Sequence, residues 1–169
     1  MVDPLSSVPT FWHHSTREWI LKKNYEEALK VYEVLIEDEP ESRTNYWHLG
    51  LLFLLQENEG TAQTTWFMVL SEADADEEST QWLHELLAIL DEEAGYQQTI
   101  EDHQTAWVIR QHIREFDPSN INNILLLIQL SVTLERLSID DLVEWKIVEL
   151  LKQQPLSVHP TLLLTTLAT

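Results

Sequence analysis

One spacing limits what this chain can fold into. Ala28 recurs as Ala62, Tyr32 as Trp66, Leu35 as Val69 and Trp12 as Tyr46, each thirty-four residues further on. In each pair the small residue precedes the aromatic by four positions, which puts both on one face of a helix. Asn24-Tyr25 and Asn58-Glu59-Gly60 interrupt the two halves at the same stride. Each half then reads as two short amphipathic helices around a turn, and a repeat of this length means helical hairpins stacked side by side. The expected fold class is all-α.

The pattern divides the chain. Residues 1–9 read as a loose tail, with Pro4, Ser6, Ser7 and Pro9. Residues 10–75 hold two repeats, with helices expected at about Phe11–Lys23, Tyr25–Glu37, Ser42–Gln56 and Gly60–Leu70. Pro40 ends the first hairpin because it cannot continue the helical ladder. Gly50 lies inside the third helix, at a cost of about 1 kcal/mol against Ala. Close approach of the neighbouring helix is the physical reason expected for it. Residues 76–118 form an irregular third hairpin, its helices expected at Ser79–Glu93 and from Ala94-Gly95 to Phe116, with an insertion near the turn. Residues 119–155 form a fourth, with an apolar helix over Asn120–Arg136 and a second over Ile139–Gln154 burying Leu142, Val143, Ile147 and Leu150. Ser138 is its expected cap. Residues 156–169 begin a further helix at Pro160, carrying Leu162, Leu163, Leu164 and Leu167.

Charge narrows the partners. The formal net charge is −19, and no Lys or Arg occurs between Arg43 and Arg110. Such a chain repels phosphate backbones and anionic membrane faces, so neither nucleic acid nor membrane is expected. A solvated acidic face is the plain use of this stretch; docking of a basic partner is the sharper one. Arg110, His112 and Arg114 make the one local positive patch after the acidic stretch, expected to pair with Glu115 or nearby acids. No apolar run is long enough to span a bilayer, and the N-terminus lacks the basic and apolar regions of a signal peptide. The chain has no Cys, which removes disulfide scaffolds, cysteine zinc sites and thiol catalysis and fits a reducing, cytoplasmic setting.

The motif residues resemble the tetratricopeptide repeat, which shows Trp, Leu-Gly, an aromatic, Ala, a second aromatic and Pro over one repeat. Tyr46, Leu49-Gly50, Phe53, Ala62 and Trp66 carry the likeness best, with Asp74 where that family has Pro. Trp12, Trp19, Tyr25, Ala28, Tyr32 and Pro40 carry the first repeat, with Ser15-Thr16 in place of Leu-Gly. The resemblance implies a right-handed alpha-alpha superhelix. The strings Tyr46–Leu52, Ala62–Trp66 and Ile109–Glu115 are also similar to N-terminal regions of cyanobacterial SPINDLY-type O-linked N-acetylglucosamine transferases, some of them labelled FkbM-type methyltransferases. That likeness implies a non-catalytic helper ahead of a catalytic domain.

No catalytic constellation is visible. No two histidines have the i,i+4 spacing of a helical zinc site, and there is no phosphate-cradling Gly-rich loop and no nucleophile elbow. Catalytic residues, metal and cofactor are expected to be none. In the repeat family the first helix of each hairpin lines a concave groove. That register places His13, Arg17, Trp47, His48, Leu51, Gln81, Trp82 and Glu85 toward a protein or peptide partner, or toward an attached catalytic domain. Aromatics among a few polar groups suit such anchoring. Trp47 and Trp82 suit packing against the next helix equally well. Self-association through Leu162–Leu167 is a further expectation.

Overall fold

The protein, a computed structural model, is described over residues 11–153. Among these residues the chain forms nine α-helices and no strand. They are α1 (Thr16–Leu21), α2 (Tyr25–Asp38), α3 (Arg43–Leu55), α4 (Glu59–Leu70), α5 (Asp76–Thr99), α6 (His103–Phe116), α7 (Ile121–Thr133), α8 (Ile139–Glu144) and α9 (Ile147–Gln153). The contacts divide the chain into two compact units, residues 1–92 and 93–169. The N-terminal tail, Pro155 and the leucine-rich segment from Ser157 to Thr169 lie outside the described residues.

Three of the turns have one construction. Helices α1, α3 and α5 each end three residues before the next helix begins. In each turn the second residue has positive φ: Lys23 at 55°, Glu57 at 62° and Glu101 at 62°. The following amide reaches back five residues: Asn24 N–H donates to the Trp19 carbonyl at 2.8 Å, Asn58 to Phe53 at 2.9 Å and Asp102 to Gln97 at 2.9 Å. This is the Schellman closure, which satisfies carbonyls that a helix end would leave open. Glu135, at φ 54°, repeats it after α7, with Arg136 N–H donating to the Ser131 carbonyl. The next residue then serves the following helix: Asn58 and Asp102 accept from the amides of Thr61 and Thr105.

This construction corrects two expected boundaries. The third hairpin does not turn at Ala94-Gly95, because α5 runs unbroken to Thr99 and turns at Asp102. Ala106 stands four residues after Asp102, as Ala28 and Ala62 stand after Asn24 and Asn58. The extra length therefore lies in the helix before the turn. The fourth hairpin's second helix is also not continuous. Lys146 takes φ 49° and Trp145 is buried, which separates α8 from α9 and leaves Val143 71% exposed instead of buried. Ser138 does cap α8: its Oγ accepts from Asp141 N–H at 3.1 Å, and Asp141 Oδ2 accepts from Ser138 N–H at 3.0 Å. α1 is shorter than expected, beginning only at Thr16.

In the first unit α1 packs on α2, α2 on α3 and α3 on α4. Ala28 and Ala62 are fully buried, as are Tyr32 and Trp66 four residues after each. Gly50 is where α4 comes closest. A Cβ built on it would lie 2.6 Å from Cδ1 and 2.7 Å from Cε2 of the Trp66 ring. Trp66 Nε1–H also donates to the Trp47 carbonyl at 3.1 Å, so the indole is held against the bare backbone. The missing side chain thus makes room for Trp66 of the neighbouring helix, the close approach expected at Gly50.

In the second unit α6 packs on α7, and α7 on α9. Ile124, Leu127, Ile128, Trp145 and Ile147 form its core. The positive patch is internal there. Arg110 is buried, donates through Nε to Gln98 at 3.1 Å and through Nη1 to Asn123 at 3.2 Å, while Asn123 donates back to the Arg110 carbonyl at 3.0 Å. His112 Nδ1 lies 3.4 Å from Glu115, and Arg114 lies 3.5 Å from Glu144.

Candidate functional site

The eight residues expected on one groove separate into three settings. His13, Arg17 and His48 gather around Trp12 and Tyr32. The His48 ring stacks on Tyr32 with centroids 5.4 Å apart and meets Trp12 edge-on at 5.1 Å. Its Nδ1–H donates to the Thr44 carbonyl at 2.8 Å, which sets the tautomer. His13 N–H donates to the Tyr32 hydroxyl at 2.9 Å, and Arg17 lies over Trp12 at 5.8 Å. Burial pushes the Tyr32 hydroxyl up to about 12. The His13 imidazole is held below its ordinary value by desolvation and by the adjacent His14.

Trp47, His48, Leu51 and Glu85 are corrected as groove-lining residues: all four are buried. α3 is covered by α2 on one side and α4 on another, so its apolar residues fill the interior instead of an open wall. Trp47 takes the packing role that its sequence equally allowed. His13 and Gln81 are exposed, and Arg17 and Trp82 are partly so.

The third setting is a polar pocket of about 430 Å³ on the first unit, where α3, α4 and the start of α5 meet. Arg43 and Tyr46 enter it from α3, Met68 and Val69 from α4, and Glu78 and Trp82 from α5, with Glu41 and Glu72 beside them. Its one cation is committed elsewhere. Arg43 makes a two-point contact with buried Glu85, Nη2 to Oε1 at 3.0 Å and Nε to Oε2 at 3.3 Å. The guanidinium also lies over the Trp82 ring at 4.5 Å. Glu85 thus anchors Arg43, and Arg43 fixes the indole. Glu41, Glu72 and Glu78 remain on the lining with Trp82, so the pocket carries excess negative charge. Glu78 Oε2 accepts from Asp74 N–H at 2.9 Å, which orients one carboxylate.

Trp82 and Glu85 were among the residues expected on a groove, whereas Arg43, Glu72 and Glu78 were not. The available signal was Arg43 itself, the last cation before sixty-six residues without one. Among the described residues no group of three or more His, Asp or Glu is arranged to hold a metal ion. No helix among them is long and apolar enough to cross a membrane. Compared with known proteins, the chain matches no family model, no curated protein and no solved structure.

Proposed function

We propose that this chain is a non-catalytic, tetratricopeptide-like interaction module that holds a basic segment of a partner protein in the pocket floored by Trp82. The observation that carries the reading is the pairing of Arg43 with Glu85, which neutralises the pocket's cation and leaves three carboxylates around an indole. A lysine or arginine side chain entering there meets opposite charge beside the Trp82 indole that Arg43 already holds. The acidity of the whole chain adds long-range attraction for such a partner. The likeness of Tyr46–Leu52, Ala62–Trp66 and Ile109–Glu115 to transferase N-terminal regions supports a helper role beside a catalytic domain.

The test uses labelled lysine- and arginine-rich peptides and fluorescence anisotropy, with an acidic peptide as control. The parent chain binds the basic set, more weakly as salt rises. Trp82→Ala weakens binding by about tenfold, the equivalent of ~1.4 kcal/mol. Glu72→Gln with Glu78→Gln does the same and flattens the salt dependence. Trp47→Ala and His48→Ala are unsuitable probes because both side chains are buried. Basic peptides that bind the Trp82 and glutamate variants as tightly as the parent would overturn the pocket reading. Heat on titration with a nucleotide sugar would overturn the non-catalytic one.

A further inference from the structure

Helix α4 is apolar on two sides. Ala62, Trp66 and Val69 are buried, whereas Phe67 and Met68, on its other side, are 57% and 56% exposed. A helix that is apolar all round is normally covered all round. No charged residue lies between Glu59 and Glu72, so α4 itself does not break this exposed surface with charge. Charge arrives at its C-terminal end instead. Met68 lines the first unit's acidic pocket together with Glu41, Glu72 and Glu78. Glu72 follows Met68 by four residues, through a turn in which Ser71 keeps helical φ and ψ and Glu72 N–H donates to the Val69 carbonyl at 3.1 Å. The apolar and the acidic surface therefore adjoin, one helical turn apart.

We propose that the partner segment held in this pocket carries a large apolar side chain beside its lysine or arginine, and that Met68 and Phe67 receive it. The inference rests on the basic-segment reading of the pocket and names that segment more closely. A charge contact at an exposed rim contributes little affinity by itself and weakens with salt. Removing Phe67 and Met68 from water adds a contribution that salt does not screen. A segment offering both fits a surface that is apolar at these two residues and negative one turn further on. A purely apolar segment would leave the carboxylates unanswered. A second copy of this chain would bring its own negative charge to them, since the net charge is −19. Methionine adapts to varied apolar shapes, so the contact takes leucine, isoleucine or phenylalanine alike.

The test measures a ratio. Labelled lysine peptides of equal length and charge carry either leucine or serine, placed two or four residues from the lysine to sample extended and helical spacings. Fluorescence anisotropy with the full-length chain gives each Kd. At one spacing at least, the leucine peptide is expected to bind about tenfold tighter than its serine counterpart. That preference disappears when Phe67→Ser is combined with Met68→Ser. It stays with Val34→Ser, which removes an exposed apolar side chain from α2 instead. Circular dichroism checks that the variants keep the fold. Equal binding of leucine and serine peptides by the parent chain would overturn this inference. The pocket reading then still stands if Glu72→Gln with Glu78→Gln weakens both peptides. Peptides that do not bind at all would overturn the two together. A leucine preference that survives the double serine variant places the apolar contact elsewhere and overturns the inference. So does a parent chain that dimerises in light scattering and loses the dimer in that variant, which assigns the face to a second copy.

Discussion

Gly50→Ala adds one methyl group where the Trp66 indole already sits. The new Cβ would lie 2.6 Å from Cδ1, well inside contact distance, and the ring is fully buried. Overpacking of this kind costs about 1–3 kcal/mol. Moving the ring also stretches its 3.1 Å bond to the Trp47 carbonyl, worth about 1 kcal/mol net. Alanine's better helix propensity offsets about 1 kcal/mol. The expected loss is then about 1–3 kcal/mol, or a fall of ~2–12 °C in Tm for a chain of this size. Thermal and urea unfolding followed by circular dichroism measure it. Gly60 and Gly95 are internal controls: both have open space where a Cβ would stand, and no glycine has positive φ. Alanine at either is expected to raise stability by up to ~1 kcal/mol. If Gly50→Ala is as stable as Gly95→Ala, close packing is not why α3 contains a glycine.

Three further outcomes follow from the same packing. Tyr32 keeps its proton to about pH 12 in the folded chain against about 10 when unfolded, so its contribution is whole below pH 10 and is lost as pH rises towards 12. About 3 kcal/mol is lost across that interval; Tyr32→Phe should abolish that loss in urea titrations while costing ~1 kcal/mol at neutral pH through the His13 amide. Glu85→Ala leaves the Arg43 guanidinium without its anchor and should cost about 2 kcal/mol, discounted because Arg43 keeps 34% exposure. Arg43→Met with Glu85→Leu should recover most of that stability and keep basic-peptide binding within about tenfold of the parent, because Glu41, Glu72, Glu78 and Trp82 remain; equal instability of the single and double variants would refute the account of the pair. Glu57→Gly, at φ 62°, should gain up to ~1 kcal/mol by relieving left-handed strain. A lower Tm for that variant would show that Glu57 makes a contact outweighing the strain.

Composition and period together specify helices, their pairing and the small residues at which they touch. Ala28, Ala62 and Gly50 could be read in advance because a small side chain beside a four-residue-spaced aromatic has one economical use, and that use is local to two adjacent helices. The turns could not be read that way. Lys23, Glu57, Glu101 and Glu135 adopt positive φ although none is glycine, so the device repeats in the backbone without repeating in residue type. Only the closing hydrogen bonds show it, and they place the third turn at Asp102 instead of Gly95. Accessibility was hidden for a related reason. A register assigns a residue to a face of its helix, but neighbours decide whether that face meets water. Hence Trp47, His48 and Leu51 pack inside while Trp82, on the same ladder as His48, stays partly open over Arg43. The pocket itself joins residues up to forty-two positions apart, and no local pattern encodes the distance across which Arg43 reaches Glu85.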